Sequence, residues 1–123
     1  MAPRILLVDD TQAIRQSLRL KIEQETDWEI CGEAENGKEA VERVRQLRPD
    51  VVLLDLSMPV MNGLDAAREI KTLWPGTHIV MFTLHAYPQL LEEARLVGIA
   101  RVISKSRAAG SDLVQAVRSL LPA

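Results

Sequence analysis

Short unbroken apolar runs alternate along the chain with stretches in which apolar residues recur every three or four positions. The runs are Ile5-Leu6-Leu7-Val8, Val51-Val52-Leu53-Leu54 and Ile79-Val80-Met81-Phe82. Four consecutive apolar residues, many of them β-branched, are the mark of a strand covered on both faces, as in parallel sheets. Two weaker strands join them. Residues 28–34 are shorter in apolar content and suit a sheet edge, and Arg101–Ser104 is short. Between the strands lie helical patterns at residues 12–24, 38–47, 64–73, Pro88–Val97 and 111–121. Their inward positions are Ile14, Leu18 and Ile22, then Ala40, Val44 and Leu47, then Ala67 and Ile70, and finally Leu113, Val117 and Leu120. Arg15, Arg19 and Glu23 are assigned to the outer face of the first helix. Thr11 or Asp10 is placed to cap that helix, and Gly98 suits a helix end that needs positive φ. Asn36-Gly37, Met58-Pro59 and Asn62-Gly63 mark turns, while Pro49 and Pro75-Gly76 stop the helices before them.

Strand and helix alternate five times with no repeat, linker or low-complexity tract. Short connections between such elements force parallel strands with helices on both faces, because each crossover must fold back over the sheet. The expected fold is therefore α/β, a five-stranded parallel sheet flanked by five helices, in one domain spanning residues 1–123. Periodicity alone leaves the strand order open.

Composition narrows the possibilities further. The chain has 123 residues, 47% hydrophobic and 26% charged, which suits a folded domain with a sizeable core. Net charge is −2, with a pI near 5.7, so the basic footprint of a nucleic-acid binder is missing. Cys31 is the lone cysteine, which rules out an internal disulfide, and it reads as an inert buried thiol in a short strand. No apolar run has the length of a membrane span, and the first residues lack the apolar region of a signal peptide. A cytoplasmic domain with no membrane contact is expected.

The chemistry sits where the strands end. Asp9-Asp10, Asp55, Thr83 and Lys105 each follow a strand, and in a parallel sheet all strand ends of one kind share an edge. Three carboxylates brought together repel unless a cation compensates them. Oxygen-only ligands that leave room for water select a hard ion such as Mg²⁺. A metal beside carboxylates, faced by a hydroxyl and a lysine, suits phosphoryl transfer, with Asp55 as the nucleophile.

Taken in order, Leu7-Val8-Asp9-Asp10, Pro49-Asp50 with Leu54-Asp55, Met58-Pro59, Gly63, Thr83 and Lys105 resemble the response-regulator receiver domain of bacterial two-component signalling. The resemblance covers essentially the whole chain. Ile30 to Ala34 with Asn36-Gly37, and Thr83-Leu84-His85, further resemble receivers that precede a helix-turn-helix DNA-binding domain (the LuxR/NarL/FixJ type). The resemblance implies a flavodoxin-like fold with strand order 2-1-3-4-5. It implies that Asp55 accepts phosphate from a sensor histidine kinase. Mg²⁺ would be bound by Asp10, Asp55 and the backbone carbonyl of Ser57, with Asp9 acting through water. Thr83 and Lys105 would contact the phosphoryl oxygens and report to the face made by the fourth helix, fifth strand and fifth helix, through which a homodimer could form. Output would be transcriptional, through a domain outside this chain.

Three positions depart from that family pattern. Val102 stands where an aromatic residue is usual, Ser106 where many members have proline, and Leu84 is bulkier than the small residue common after the threonine. Simpler roles are assigned elsewhere: His85 to an exposed loop, His78 to a strand start, Trp28 and Trp74 to packing at element ends, Met58 and Met61 to loop and core. Asp9 and Asp10 alone would read as helix caps, Thr83 as a strand-end residue and Lys105 as a solvated charge; their shared edge promotes them. Other functions meet specific obstacles. A phosphatase of the haloacid-dehalogenase kind needs an acid two residues after its nucleophile, where Ser57 stands. A flavin module needs a hydroxyl- and glycine-rich loop where Asp9-Asp10-Thr11 stands. A phosphate-independent interaction domain would not need the acidic set.

Overall fold

Each continuous apolar run becomes a strand with both faces covered. The computed structural model describes residues 2–84, 86–105 and 109–121, with side chains left aside for 109–111. Its elements are β1 (Arg4–Val8), α1 (Gln12–Glu25), β2 (Glu29–Ala34), α2 (Gly37–Leu47), β3 (Val51–Asp55), α3 (Gly63–Leu73), β4 (His78–Thr83), α4 (Pro88–Val97), β5 (Arg101–Ser104) and α5 (Ala109–Leu120). All strand pairs are parallel, in the order β2-β1-β3-β4-β5. The expected fold and strand order are both found. The readings for His85, Ser106 and the chain end at 122–123 lie outside the described residues.

Alternation within the strands divides the core in two. Leu6, Val8, Val52, Leu54, Ile79 and Met81 face α2, α3 and α4, where Ala40, Val44, Ala67, Ile70, Leu90 and Ala94 are buried. Ile5, Leu7, Val51, Leu53, Val80 and Phe82 face the opposite way, onto Leu18 and Ile22 of α1 and Leu113 and Val117 of α5. Successive strand residues point to opposite faces, so both sets must be apolar, which explains the unbroken runs. β2 is an edge strand whose residues are mostly half-buried, as its polar composition implies. Val102, Trp74, Met58 and Met61 are partly buried against the first core. Trp28 lies just before β2 and packs against the second core, with the Arg118 guanidinium 5.7 Å from its ring. Cys31 is half-buried, and desolvation pushes its thiol pKa up, in keeping with an unreactive role.

Local chemistry fixes the ends. The Asn36 and Asn62 side chains accept the backbone N–H groups of Glu39 and Asp65 at 2.8 and 2.9 Å, so the two Asn-Gly pairs are helix starts as well as turns. Thr11 occupies the N-cap position of α1, but its side chain makes no capping bond. Gly98 ends α4 with φ of 100°.

One expectation is corrected. Arg15 does not lie on the outer face of α1; it is 8% exposed. The residues Arg15, Leu18 and Ile22 form the buried stripe, and Ile14 is only partly covered. Arg15 can go inward because its nitrogens meet Glu33 and the carbonyl of Asp9.

The β3–α3 loop holds a second oddity. Val60 has φ of 69°, and the Met61 N–H donates to the Pro59 carbonyl at 2.7 Å. This is a γ-turn of the rare positive-φ kind, on a β-branched residue that is 77% exposed. Relief of that strain exceeds the added chain entropy of glycine, so Val60→Gly should stabilise the protein by about 1 kcal/mol. A urea unfolding midpoint measures this.

Candidate functional site

Strand order decides which ends meet. β1 and β3 are neighbours with Val8 level with Leu54, so Asp9 and Asp55 occupy the next rung side by side. Asp55 is level with Phe82 and Thr83 with Ser104, so Lys105 leaves β5 one step beyond Thr83. The Lys105 N–H donates to the Thr83 carbonyl at 2.7 Å, which ties the residue to the end of β4. Its ammonium then lies 2.9 Å from Asp9 Oδ2 and 3.0 Å from Asp55 Oδ1, with the Phe82 ring centroid 5.1 Å away. Asp9, Asp55 and Thr83 are buried, with 0%, 3% and 4% exposure, whereas Asp10 is exposed. Oxygens of Asp9, Asp10 and Asp55 lie within 4.8 Å of one another.

Asp9 is tied down on every side. Its N–H donates to the Ala34 carbonyl at 3.1 Å, and its Oδ1 accepts the Thr11 N–H at 2.8 Å. Its own carbonyl accepts Arg15 Nη1. Asp55 is anchored from behind by the approach of α3. Gly63 donates its N–H to Leu56 at 2.8 Å, and a Cβ at Gly63 would stand 2.1 Å from the Asp55 carbonyl oxygen. Beside the carboxylates an open cleft of about 570 Å³ is lined by Asp10, Ser57, Met58, Asn62, Tyr87 and Glu93. Ser57 thus opens onto the same space as Asp10. Leu84 is 66% exposed.

Burial is the main influence on Asp55 and raises its pKa; the Lys105 hydrogen bond opposes this, and the charges of Asp9 and Asp10 add to it. Burial also pulls the Lys105 ammonium down, but its bonds to Asp9 and Asp55 outweigh that and leave its pKa raised. Among the described residues, three carboxylates meet one ammonium at this edge. That balance, with an all-oxygen donor set facing an open cleft, is compatible with Mg²⁺.

A stability consequence follows from the raised Asp55 pKa. The folded state holds the Asp55 proton to higher pH than the unfolded chain does. This group's contribution is therefore full below the unfolded pKa and lost as pH rises through the folded value. Metal-free protein should lose stability across that window, and millimolar Mg²⁺ should restore it at neutral pH. Thermal melts at several pH values, with and without Mg²⁺, measure both effects.

Among the residues picked out by sequence, Asp9, Asp10, Asp55, Thr83 and Lys105 are brought to one edge, and Ser57 to the cleft beside it. The sequence reading missed Arg15, Tyr87, Glu93 and the contact role of Gly63. Arg15 left one signal: positions 15, 18 and 22 also fit a helical stripe.

A receiver-type geometry at the carboxyl edge of a 2-1-3-4-5 sheet agrees with comparison to known proteins. The response regulator receiver domain family model matches residues 5–118, and the chain belongs to that family. It is 41% identical over 105 residues to the chemotaxis protein CheY of Halobacterium salinarum, covering 85% of this chain and 86% of that protein. The structure of a LuxR-family two-component response regulator from Aurantimonas sp. SI85-9A1 superposes with a TM-score of 0.91 at 31% identity, covering 98% of this chain and 85% of the other. The response regulator domain of Thermotoga maritima CheB superposes with a TM-score of 0.89 at 29% identity, covering 97% and 96%. The chemotaxis and LuxR-family relatives are thus similarly near. Among the described residues no helix is long and apolar enough to cross a membrane.

Proposed function

We propose that this chain, as a single receiver domain over residues 1–123, takes a phosphoryl group from a sensor histidine kinase onto Asp55. One observation carries the reading: a buried carboxylate at the end of the central strand, 3.0 Å from the Lys105 ammonium and flanked by Asp9 and Asp10. An Asp55 oxygen attacks phosphorus while the bond from phosphorus to the donor's nitrogen breaks, leaving an acyl phosphate on Asp55 and a free imidazole on the donor. Lys105 shifts from Asp55 Oδ1 to a phosphoryl oxygen, and the Thr83 hydroxyl donates to another. Asp10, Asp55 and the Ser57 carbonyl would hold Mg²⁺, with Asp9 acting through water. Such an ion would supply positive charge against the charge that builds on the transferred group. Ser57 offers no general acid two residues past the nucleophile, so turnover of phosphate esters is not part of the activity.

The resemblance around Ile30 to Gly37 and Thr83 to His85, together with the LuxR-family relative, supports a transcriptional output and a cytoplasmic setting. The domain itself makes no nucleic-acid contact, and phosphorylation favours a homodimer through α4, β5 and α5. Incubation with acetyl phosphate tests the chemistry. Intact mass should rise by one phosphoryl group with Mg²⁺ and stay unchanged when the ion is chelated. Equal uptake in both conditions would refute the metal assignment, and steady ester hydrolysis would refute the signalling role.

A further inference from the structure

We infer that Arg15 is a positioning residue for the carboxylate cluster, acting through the Asp9–Asp10 peptide and braced by Glu33. The inference rests on the Mg²⁺ reading above and concerns how the metal-binding edge is held in shape. Arg15 is the buried arginine of α1, 8% exposed, and arginine is rarely buried without paired partners. Its Nε lies 2.8 Å from Glu33 Oε1, and its Nη1 donates to the Asp9 carbonyl. Arg19 Nη2 takes the other Glu33 oxygen at 2.7 Å. Burial works to raise the Glu33 pKa, but hydrogen bonds from Arg19 and Arg15 outweigh it and keep the carboxyl below its ordinary value. The brace is therefore ionised at neutral pH.

The carbonyl that Arg15 grips belongs to the peptide joining Asp9 to Asp10. Fixing that peptide plane sets where the Asp10 side chain departs, and Asp10 is the exposed member of the cluster. The fork of a guanidinium matters here. It reaches Glu33 with one nitrogen and Asp9 with another, which a single ammonium on a shorter stem does not reproduce. Groups that orient metal ligands commonly govern metal affinity about 10- to 100-fold.

The sign of the effect separates positioning from plain electrostatics. Removing a positive charge near a cation site would by itself tighten cation binding. Loss of positioning weakens it. The test is titration of the full chain with Mn²⁺, read by the electron paramagnetic resonance of free ion, with urea unfolding of the metal-free protein as a check on folding. Arg15→Met should weaken Mn²⁺ binding about 10- to 100-fold. Arg15→Lys keeps the charge and should also bind more weakly than wild type, while Arg45→Gln, which removes an exposed charge paired with Glu42, should leave affinity unchanged. Should Arg15→Met fail to fold, Arg15→Lys decides. Wild-type affinity in a folded Arg15→Lys, or tighter binding in a folded Arg15→Met, overturns the inference. A wild-type chain that binds no Mn²⁺ overturns the metal reading itself, and the inference with it.

Discussion

Asp55→Asn is expected to abolish phosphoryl uptake from acetyl phosphate and, at the same time, to make the metal-free protein more stable. The loss is direct, since an amide oxygen is far too weak a nucleophile to form the acyl phosphate. The gain has a separate cause. Asp55 is 3% exposed and shares its edge with two further carboxylates, while among the described residues Lys105 alone brings an ammonium to the cluster. Asparagine removes one repelling charge and its desolvation cost, yet its side-chain oxygen can still accept from Lys105. The net gain should be on the order of 1 kcal/mol at neutral pH, the scale of one unfavourable charge contact near a protein surface. Added Mg²⁺ should stabilise the wild type and have little effect on the variant, reversing their order. Urea unfolding with and without Mg²⁺ reads all of this. A metal-free variant clearly less stable than wild type would mean that Lys105 more than compensates the cluster.

Gly63→Ala should be the most damaging glycine-to-alanine change among the described residues. Gly63 has ordinary helical backbone, so conformational freedom is not the issue. The hydrogen that a methyl would replace points at the backbone of Asp55. The new Cβ would lie 2.1 Å from the Asp55 carbonyl oxygen, 2.9 Å from its carbon and 3.0 Å from Leu56 Cα. All three atoms are main chain and cannot rotate away, so either α3 or the end of β3 must move. Overpacking of this kind costs about 3 kcal/mol or more. It would also break the 2.8 Å bond from the Gly63 N–H to Leu56 that seats α3 under the loop. The variant should unfold at markedly lower urea and, where folded, accept phosphate more slowly because Asp55 is displaced. Wild-type stability and rate together would show that α3 is not rigidly docked there.

These two residues illustrate what a sequence discloses and what it conceals. Asp55 was legible because burial on both faces forces an apolar run, and a carboxylate closing such a run is conspicuous. Asp9-Asp10, Thr83 and Lys105 were legible in the same way, since a parallel sheet gathers its strand ends. Gly63 was legible only as a turn residue; its contact with Asp55 arises from the docking of α3, which no local pattern records. Arg15 was misplaced because amphipathic reading sends charges outward. What draws it in is Glu33 on a neighbouring strand and a carbonyl beyond the helix start, both non-local partners. Strand order lay outside periodicity altogether and came from resemblance to receiver domains, with which the β2-β1-β3-β4-β5 sheet agrees.

The phosphoryl group is expected to land on Asp55 itself. Borohydride reduction of the chain after incubation with acetyl phosphate and Mg²⁺ converts an aspartyl phosphate to homoserine, and peptide mass spectrometry then locates it. Homoserine at position 55, absent when the ion is chelated, is the result expected. Homoserine at position 9 or 10, or unreduced aspartate at all three positions in a chain that has gained phosphate, would contradict it.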